Sequence, residues 1–348
     1  MSNPSNHNRQ DDVLGAVIQS HVETARPVGS SHVAEGLDLS PATIRNTFAD
    51  LERQGLLTHP HTSAGRIPTD LGYRLYVDRL LTARQLTLKE KQTIEREYEK
   101  GRAEIEILMR QTARVLSAMT RLAGVASYRA PEELTLDHFK IVPLTSRQVM
   151  VFLVLDDVWV EEERIHLDDP LDPGEVSRIT KLLNRRFAGL PLPRIRDELL
   201  SELDRSKAGR LSILQAVADL LDGAMGVHPD HVIVEGTARL AEQPEFRAPA
   251  AMEDLLRVVE NREGLAHALG GRPGPSGLSI DIGGELRDSR LKSCSFVHVP
   301  FRFRGRFMGA LGVLGPVRMP YDRVAGLVEH VSVVLETNLF EREKRPHG

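Results

Sequence analysis

Apolar residues recur along the chain with two different periods, and the change between them divides it. Val13, Leu14, Val17, Ile18 and Val22 repeat at helical spacing with polar residues opposite, which predicts an amphipathic helix. Arg26-Pro27-Val28-Gly29 breaks it. Ser30 or Ser31 is placed to cap a second short helix through Val33, Ala34 and Leu37, and the chain turns at 36–39. Ser40-Pro41, a capping hydroxyl followed by proline, opens a third helix that runs to about Gln54 and stops at Gly55. Residues 56–58 and 66–68 read as paired strands around a loop at 59–65. Thr69 then caps a helix whose apolar stripe is Tyr73, Tyr76, Val77 and Leu80.

A capping box at Thr87 and Glu90 announces a long charged helix. It continues through Ile105, Leu108, Val115, Met119 and Leu122, with a break near Gly101. From Phe139 the period becomes that of strands, at 139–143, 149–155 and 158–166. Residues 170–226 return to helices. A short strand at 232–234, a helix at 252–260 and a Gly/Pro-rich loop at 271–277 follow. Strands at 295–301 and up to Val313 precede a final helix from Tyr321 to about Leu339, with a wide apolar face. The fold class expected is a multidomain α+β protein.

Helix, short turn, helix and two-stranded wing is the order of a winged helix-turn-helix, in which the last helix enters the major groove of DNA. Ile44, Phe48 and Leu51 form the stripe that fixes the third helix, so the remaining face is outward. That face carries Ala42, Thr43, Arg45, Asn46 and Ala49. Arg pairs with guanine and Asn with adenine in bidentate fashion, and Ala or the Thr methyl can touch the thymine methyl, so Arg45 and Asn46 are the candidate base readers. Ser30, Ser31, Ser40 and Thr43 are small hydroxyls at helix starts, suited to phosphate contacts. In the wing, His61, Thr62, Ser63 and Arg66 surround two small residues, and Arg66 is the candidate for a phosphate or minor-groove contact.

Composition narrows the alternatives. Of 348 residues, 41% are hydrophobic but only 5% aromatic, so base stacking on an aromatic sheet is disfavoured. The formal net charge of -4 argues against nonspecific wrapping of nucleic acid, leaving a local site. The single cysteine, Cys294, excludes an internal disulfide and a multi-cysteine metal site, and fits a reducing compartment. No apolar run is long enough to cross a bilayer, and a cytoplasmic protein is expected. No catalytic, cofactor or metal site is expected. The glycines at 309, 312 and 315 lie within a strand and its turn instead of between a strand and a helix, while Asp156, Asp157 and Glu161 to Glu163 suit a hairpin turn and an exposed edge.

Long ordered strings resemble the HrcA family of bacterial heat-inducible transcription repressors. They are Arg26-Pro27-Val28-Gly29-Ser30, Leu39-Ser40-Pro41-Ala42-Thr43-Ile44-Arg45-Asn46, and His61-Thr62-Ser63-Ala64-Gly65-Arg66-Ile67-Pro68-Thr69-Asp70, continuing through Gly72-Tyr73-Arg74. Glu235-Gly236-Thr237, Pro244-Glu245-Phe246 and the run from Gly309 to Met319 extend the resemblance to the far end. Two places depart from it, Asn46-Thr47-Phe48 and Ile282-Gly283-Gly284-Glu285.

The resemblance implies an N-terminal winged helix and a GAF-like α/β domain carrying an inserted dimerisation domain. The corresponding division is 1–84 for the DNA-binding domain, 85–169 for a linker helix and the first GAF-like part, 170–230 for the insert, and 231–342 for the second GAF-like part. It also implies a homodimer on double-stranded DNA bearing the CIRCE inverted repeat, assistance from the GroEL chaperonin, and no membrane. A regulator controlled by a small effector in the GAF-like part, near residues 271–285, is the alternative.

Overall fold

A computed structural model describes residues 4–60, 65–79, 81–82, 84–98, 105–129, 134–156, 159–167, 170, 172–203, 214–215, 217–222, 231–269, 277–286, 289–303 and 306–343. The fold is mixed α/β, in two compact units. The first comprises Met1–Ser127, Val232–Arg304 and Ala310–Gly348, and the second Tyr128–His231 with Gly305–Gly309.

The first unit begins with α1 (Pro4–Thr24), α2 (Ser30–Leu37), α3 (Pro41–Arg53), the antiparallel pair β1 (Leu57–Thr58) and β2 (Ile67–Pro68), and α4 (Asp70–Arg79). Val13, Leu14, Val17 and Ile18 of α1 are buried with Val33, Ile44, Phe48 and Leu51, the stripes that periodicity marked. Then come α5 (Leu88–Tyr98) and α6 (Ile105–Thr120). The capping box is present: Thr87 N donates to Glu90 Oε2 at 2.9 Å and Glu90 N to Thr87 Oγ1 at 3.3 Å.

A five-stranded sheet forms the core of this unit, ordered β7-β3-β10-β9-β8. Its strands are β3 (Ala123–Tyr128), β7 (Val232–Glu235), β8 (Ser279–Ile282), β9 (Cys294–Phe303) and β10 (Arg306–Pro316). β3 pairs antiparallel with β7 and β8 with β9. Helix α6 packs on β7, and the closing helix of the chain (Tyr321–Glu343) packs on β9 and on α6. Shorter helices at Thr237–Ala241, Pro249–Glu260 and Arg262–Leu269 complete the unit.

Close backbone approach explains two of its glycines. A Cβ on Gly124 would stand 2.0 Å from Ala113 O, so α6 lies on β3 only because none is there. One on Gly312 would stand 2.4 Å from Val297 O, which gives the glycine run of 309–315 a packing role inside β10.

The second unit holds a three-stranded antiparallel sheet, β4 (Leu136–Thr145), β5 (Gln148–Leu155) and β6 (Trp159–His166), with α7 (Pro173–Phe187) packed on β4 and α8 (Leu192–Leu203) following. Asn184 on α7 ties the two layers together, its Oδ1 accepting from Phe139 N at 2.6 Å and its Nδ2 donating to Phe139 O at 2.8 Å. The division at 170 therefore does not coincide with the packing: these strands belong with the helices that follow them, and the second unit starts at Tyr128.

Along β5 the burial alternates. Val149, Val151, Leu153 and Leu155 are buried, and Met150, Phe152 and Val154 on the other face are half-buried. Register places Lys140, Phe152 and Glu162 in one row across that second face.

Candidate nucleic-acid interface

The strongest local signal in the sequence forms as expected. Ser40 is the N-cap of α3, its hydroxyl accepting from Thr43 N at 3.1 Å, with Pro41 in the first turn. The Ser40 and Thr43 hydroxyls lie 2.8 Å apart, so they bond to each other. Ile44, Phe48 and Leu51 are buried, and Thr47 joins them, its hydroxyl donating to Thr43 O at 3.1 Å. The remaining face is left to solvent: Ala42, Arg45, Asn46 and Ala49 are exposed and Thr43 is half-buried.

Helix α2 departs from expectation at its start. Gly29 is the N-cap, with no side-chain cap bond, and Ser30 is already the first helical residue. Ser30 is half-buried and Ser31 exposed, so each keeps its place beside the turn without the capping role. Asp38, in the left-handed region at φ 52, closes the helix by donating its N–H to Ala34 O, and Leu39 N reaches the same carbonyl at 3.2 Å. This tight turn sets α3 against α2.

The β1–β2 pair is attached at its base. Val28 N donates to Arg66 O at 2.8 Å and Arg66 N to Val28 O at 2.9 Å. A Cβ on Gly65 would meet Val28 O at 2.5 Å, so glycine is required for the strand to lie there. The strings around Pro27 and Gly65, far apart in sequence, are thus one local structure. His61, Thr62 and Ser63 lie outside the described residues.

Arg66 is held by a partner the sequence reading did not identify. Its Nε is 2.9 Å from Glu52 Oε1 and its Nη2 3.0 Å from Glu52 Oε2, and His59 Nδ1 lies 2.6 Å from the same carboxylate. Burial pulls the Glu52 carboxyl upward, but the hydrogen bond from His59 and the charge and hydrogen bond of Arg66 outweigh it and hold the group below the usual carboxylate range. Glu52, at the end of α3, thus ties Arg66, beside β2, to the helix that carries the outward face. Its place one residue past the buried stripe at Leu51 was the only available sign.

Groups that could suggest other chemistry are occupied structurally. Asp156 sits in a turn at φ 45 and accepts from Thr135 N at 3.1 Å. Cys294 is buried, and burial, with a smaller contribution from Glu245, pushes its thiol up to about 12. Among the described residues no group of three or more His, Cys, Asp or Glu could hold a metal ion, and no helix is long and apolar enough to cross a membrane. Of the loop considered for an effector, Glu285 is engaged by Arg74 of α4.

Comparison with known proteins extends over nearly the whole chain. Residues 106–325 match the family described as "HrcA protein C terminal domain". The chain is 33% identical over 333 residues to the heat-inducible transcription repressor HrcA of Geobacter sulfurreducens, covering 95% of this chain and 97% of that one. It is 35% identical over 340 residues to the protein of the same name from Xylella fastidiosa, with 97% of each covered. A crystal structure of a hypothetical protein, 20% identical, superposes with a TM-score of 0.58 over 96% of this chain and 98% of that one, which shows a shared fold.

Proposed function

The chain belongs to the HrcA family of heat-inducible transcription repressors, and on that premise we propose that it represses as a homodimer, each subunit placing α3 in the major groove of one half of a CIRCE-type inverted repeat. The observation that carries this reading is the free face of α3. Arg45 and Asn46 stand exposed near the capped end of a helix whose other side is sealed by Ile44, Phe48 and Leu51. In this reading residues 1–84 are a winged helix-turn-helix. Arg45 and Asn46 read bases and Ala42, Thr43 and Ala49 touch methyl groups. Ser30, Ser31, Ser40, His61, Thr62, Ser63 and Arg66 contact the backbone or minor groove.

The five-stranded sheet is then the GAF-like part and the second unit the inserted dimerisation domain, with its start moved from 170 to Tyr128 to follow the packing. A homodimer is supported by the half-exposed sheet face: Met150, Phe152 and Val154 form an apolar strip, and the row Lys140–Phe152–Glu162 puts opposite charges on its two sides. A second copy turned about an axis parallel to the strands sets each Lys140 against the other copy's Glu162. Relief of repression by heat follows from loss of the folded dimer, whose recovery depends on the GroEL chaperonin in the cytoplasm. Domain stability of about 5–15 kcal/mol is small enough for operator occupancy to follow folding assistance.

Protection of genomic DNA fragments by the full chain tests this reading. The expected result is a protected inverted repeat with both halves contacted alike. Protection of an asymmetric site, or of none, overturns it.

A further inference from the structure

Two arginine contacts away from α3, one an ion pair and one a hydrogen bond to a backbone carbonyl, fasten the first four helices to the rest of the same unit. Arg74 of α4 meets the Glu285 carboxylate in a fork, Nε to Oε1 at 2.8 Å and Nη2 to Oε2 at 2.5 Å, and also donates to the Ile280 carbonyl. Glu285 is itself fixed, because its Oε2 accepts from Ile282 N at 2.8 Å. Beside it Asp70 accepts from Gly284 N at 3.3 Å. Gly283, at φ 53, has no room for a side chain there, since a Cβ would stand 2.1 Å from Asp70 Oδ2.

The second contact holds a different helix. Arg318, just before the closing helix, donates to the Val22 carbonyl near the end of α1, while its Nε is 2.6 Å from Glu245 Oε1. One such contact would leave α1–α4 free to turn about it. The second, on α1, confines that turning to the line joining the two, and the Tyr73 ring against Tyr321, at a centroid distance of 5.9 Å, opposes the motion that remains.

We propose that Arg74 and Arg318 are positioning residues for operator reading: they hold α3 at a fixed angle to the body, so the protein itself selects the spacing between half-sites. The inference rests on the inverted-repeat reading above. One added base pair rotates a half-site by about 34° and shifts it by roughly 3.4 Å, given 10 to 10.5 base pairs per turn. A hinged reading head follows such a shift; a clamped one does not.

The test uses the full chain and duplexes carrying the half-sites it protects, with the spacer lengthened or shortened by one and two base pairs, together with a single half-site duplex. Wild type is expected to lose affinity steeply with each base pair of change, falling toward its affinity for the single half-site duplex as the second half-site moves out of reach. The double variant Arg74→Ala, Arg318→Ala loses affinity for the native spacing, falls less than about threefold when the spacing changes, and keeps its affinity for the single half-site. Arg74→Glu alone relaxes the profile, and adding Glu285→Arg restores it. A double variant that keeps the wild-type profile overturns the proposal, and so does one that loses single half-site binding, because the contacts then only maintain the fold. Wild type that is indifferent to spacing overturns the inverted-repeat reading instead.

Discussion

His21 Nδ1 lies 2.8 Å from the hydroxyl of Tyr73, linking the end of α1 to α4, and the Tyr73 ring meets that of Tyr321 at a centroid distance of 5.9 Å. Burial first, and then the charge of Arg318, lowers the His21 imidazole to about 4, with Glu245 acting the other way. The imidazole is therefore neutral in the folded protein, whereas the unfolded chain takes up its proton near pH 6.5. Below that pH the unfolded state binds more protons, so stability is present in full above about 6.5 and is lost as pH falls toward 4. The melting temperature is expected to drop across this window, and His21→Gln is expected to flatten the drop. Equal slopes in the two proteins would remove His21 from the account.

Removing the proposed base readers should leave the fold alone. Arg45→Ala and Asn46→Ala change exposed side chains, so unfolding free energy should move by less than about 0.5 kcal/mol. Binding should weaken by roughly 1–3 kcal/mol per half-site for each bidentate base pairing removed, and discrimination should relax at one base pair for each variant. Binding titrations against operators mutated at single positions measure both. Uniform weakening across all sequences would assign these residues to phosphates.

Glu52→Gln separates the structural contact of Arg66 from its proposed contact with DNA. It removes the ion pair with Arg66 and the contact to His59 at a partly exposed site, so the stability cost should be about 1 kcal/mol or less. Because the folded carboxyl lies below its usual range, the contribution is present at neutral pH and lost on acidification, and the variant should be less sensitive to acid. With the Glu52 charge gone, Arg66 should strengthen nonspecific DNA binding and steepen its dependence on salt. Arg66→Ala should reduce the slope of log affinity against log salt by about 1. An unchanged slope in both variants means that Arg66 serves only the local structure around β2.

The open sheet face predicts a dimer defect. Phe152→Asp should shift the sedimentation of the full chain from dimer to monomer and weaken operator binding at least about tenfold, while single half-site binding persists. Lys140→Glu should loosen the dimer, and adding Glu162→Lys should restore it. Dimers that persist in Phe152→Asp place the interface elsewhere.

What the sequence disclosed follows the range of the forces involved. Helix α3 was legible because Ser40, Pro41 and the Ile44–Phe48–Leu51 stripe act within one helix. Strand β3 was not: every residue from Ala123 to Tyr128 is buried, so no alternation appears, and the small residues continue the pattern of the helix before it. Strand β8 was missed for a related reason, since its four residues owe their structure to β9, met only later in the chain. At the candidate site the outward face of α3 was readable, whereas the hold of Glu52 on Arg66 depends on the β1–β2 pair that brings residues 14 apart together. The first turn of α2 was misjudged because Gly29 and Ser30 are both acceptable caps, and the pairing of Val28 with Arg66 favours the former.

Ser127 and Val232 are register partners across β3 and β7, so the chain departs toward Tyr128 and returns from His231 at neighbouring points of one ladder. Those two points are separated by only about 5 Å, the span of a hydrogen-bonded pair. A segment threaded between them can leave and re-enter the sheet without parting these two strands. The site is a natural splice point at which a tight turn, or an unrelated module with adjacent termini, could be grafted while the host sheet keeps its pairing.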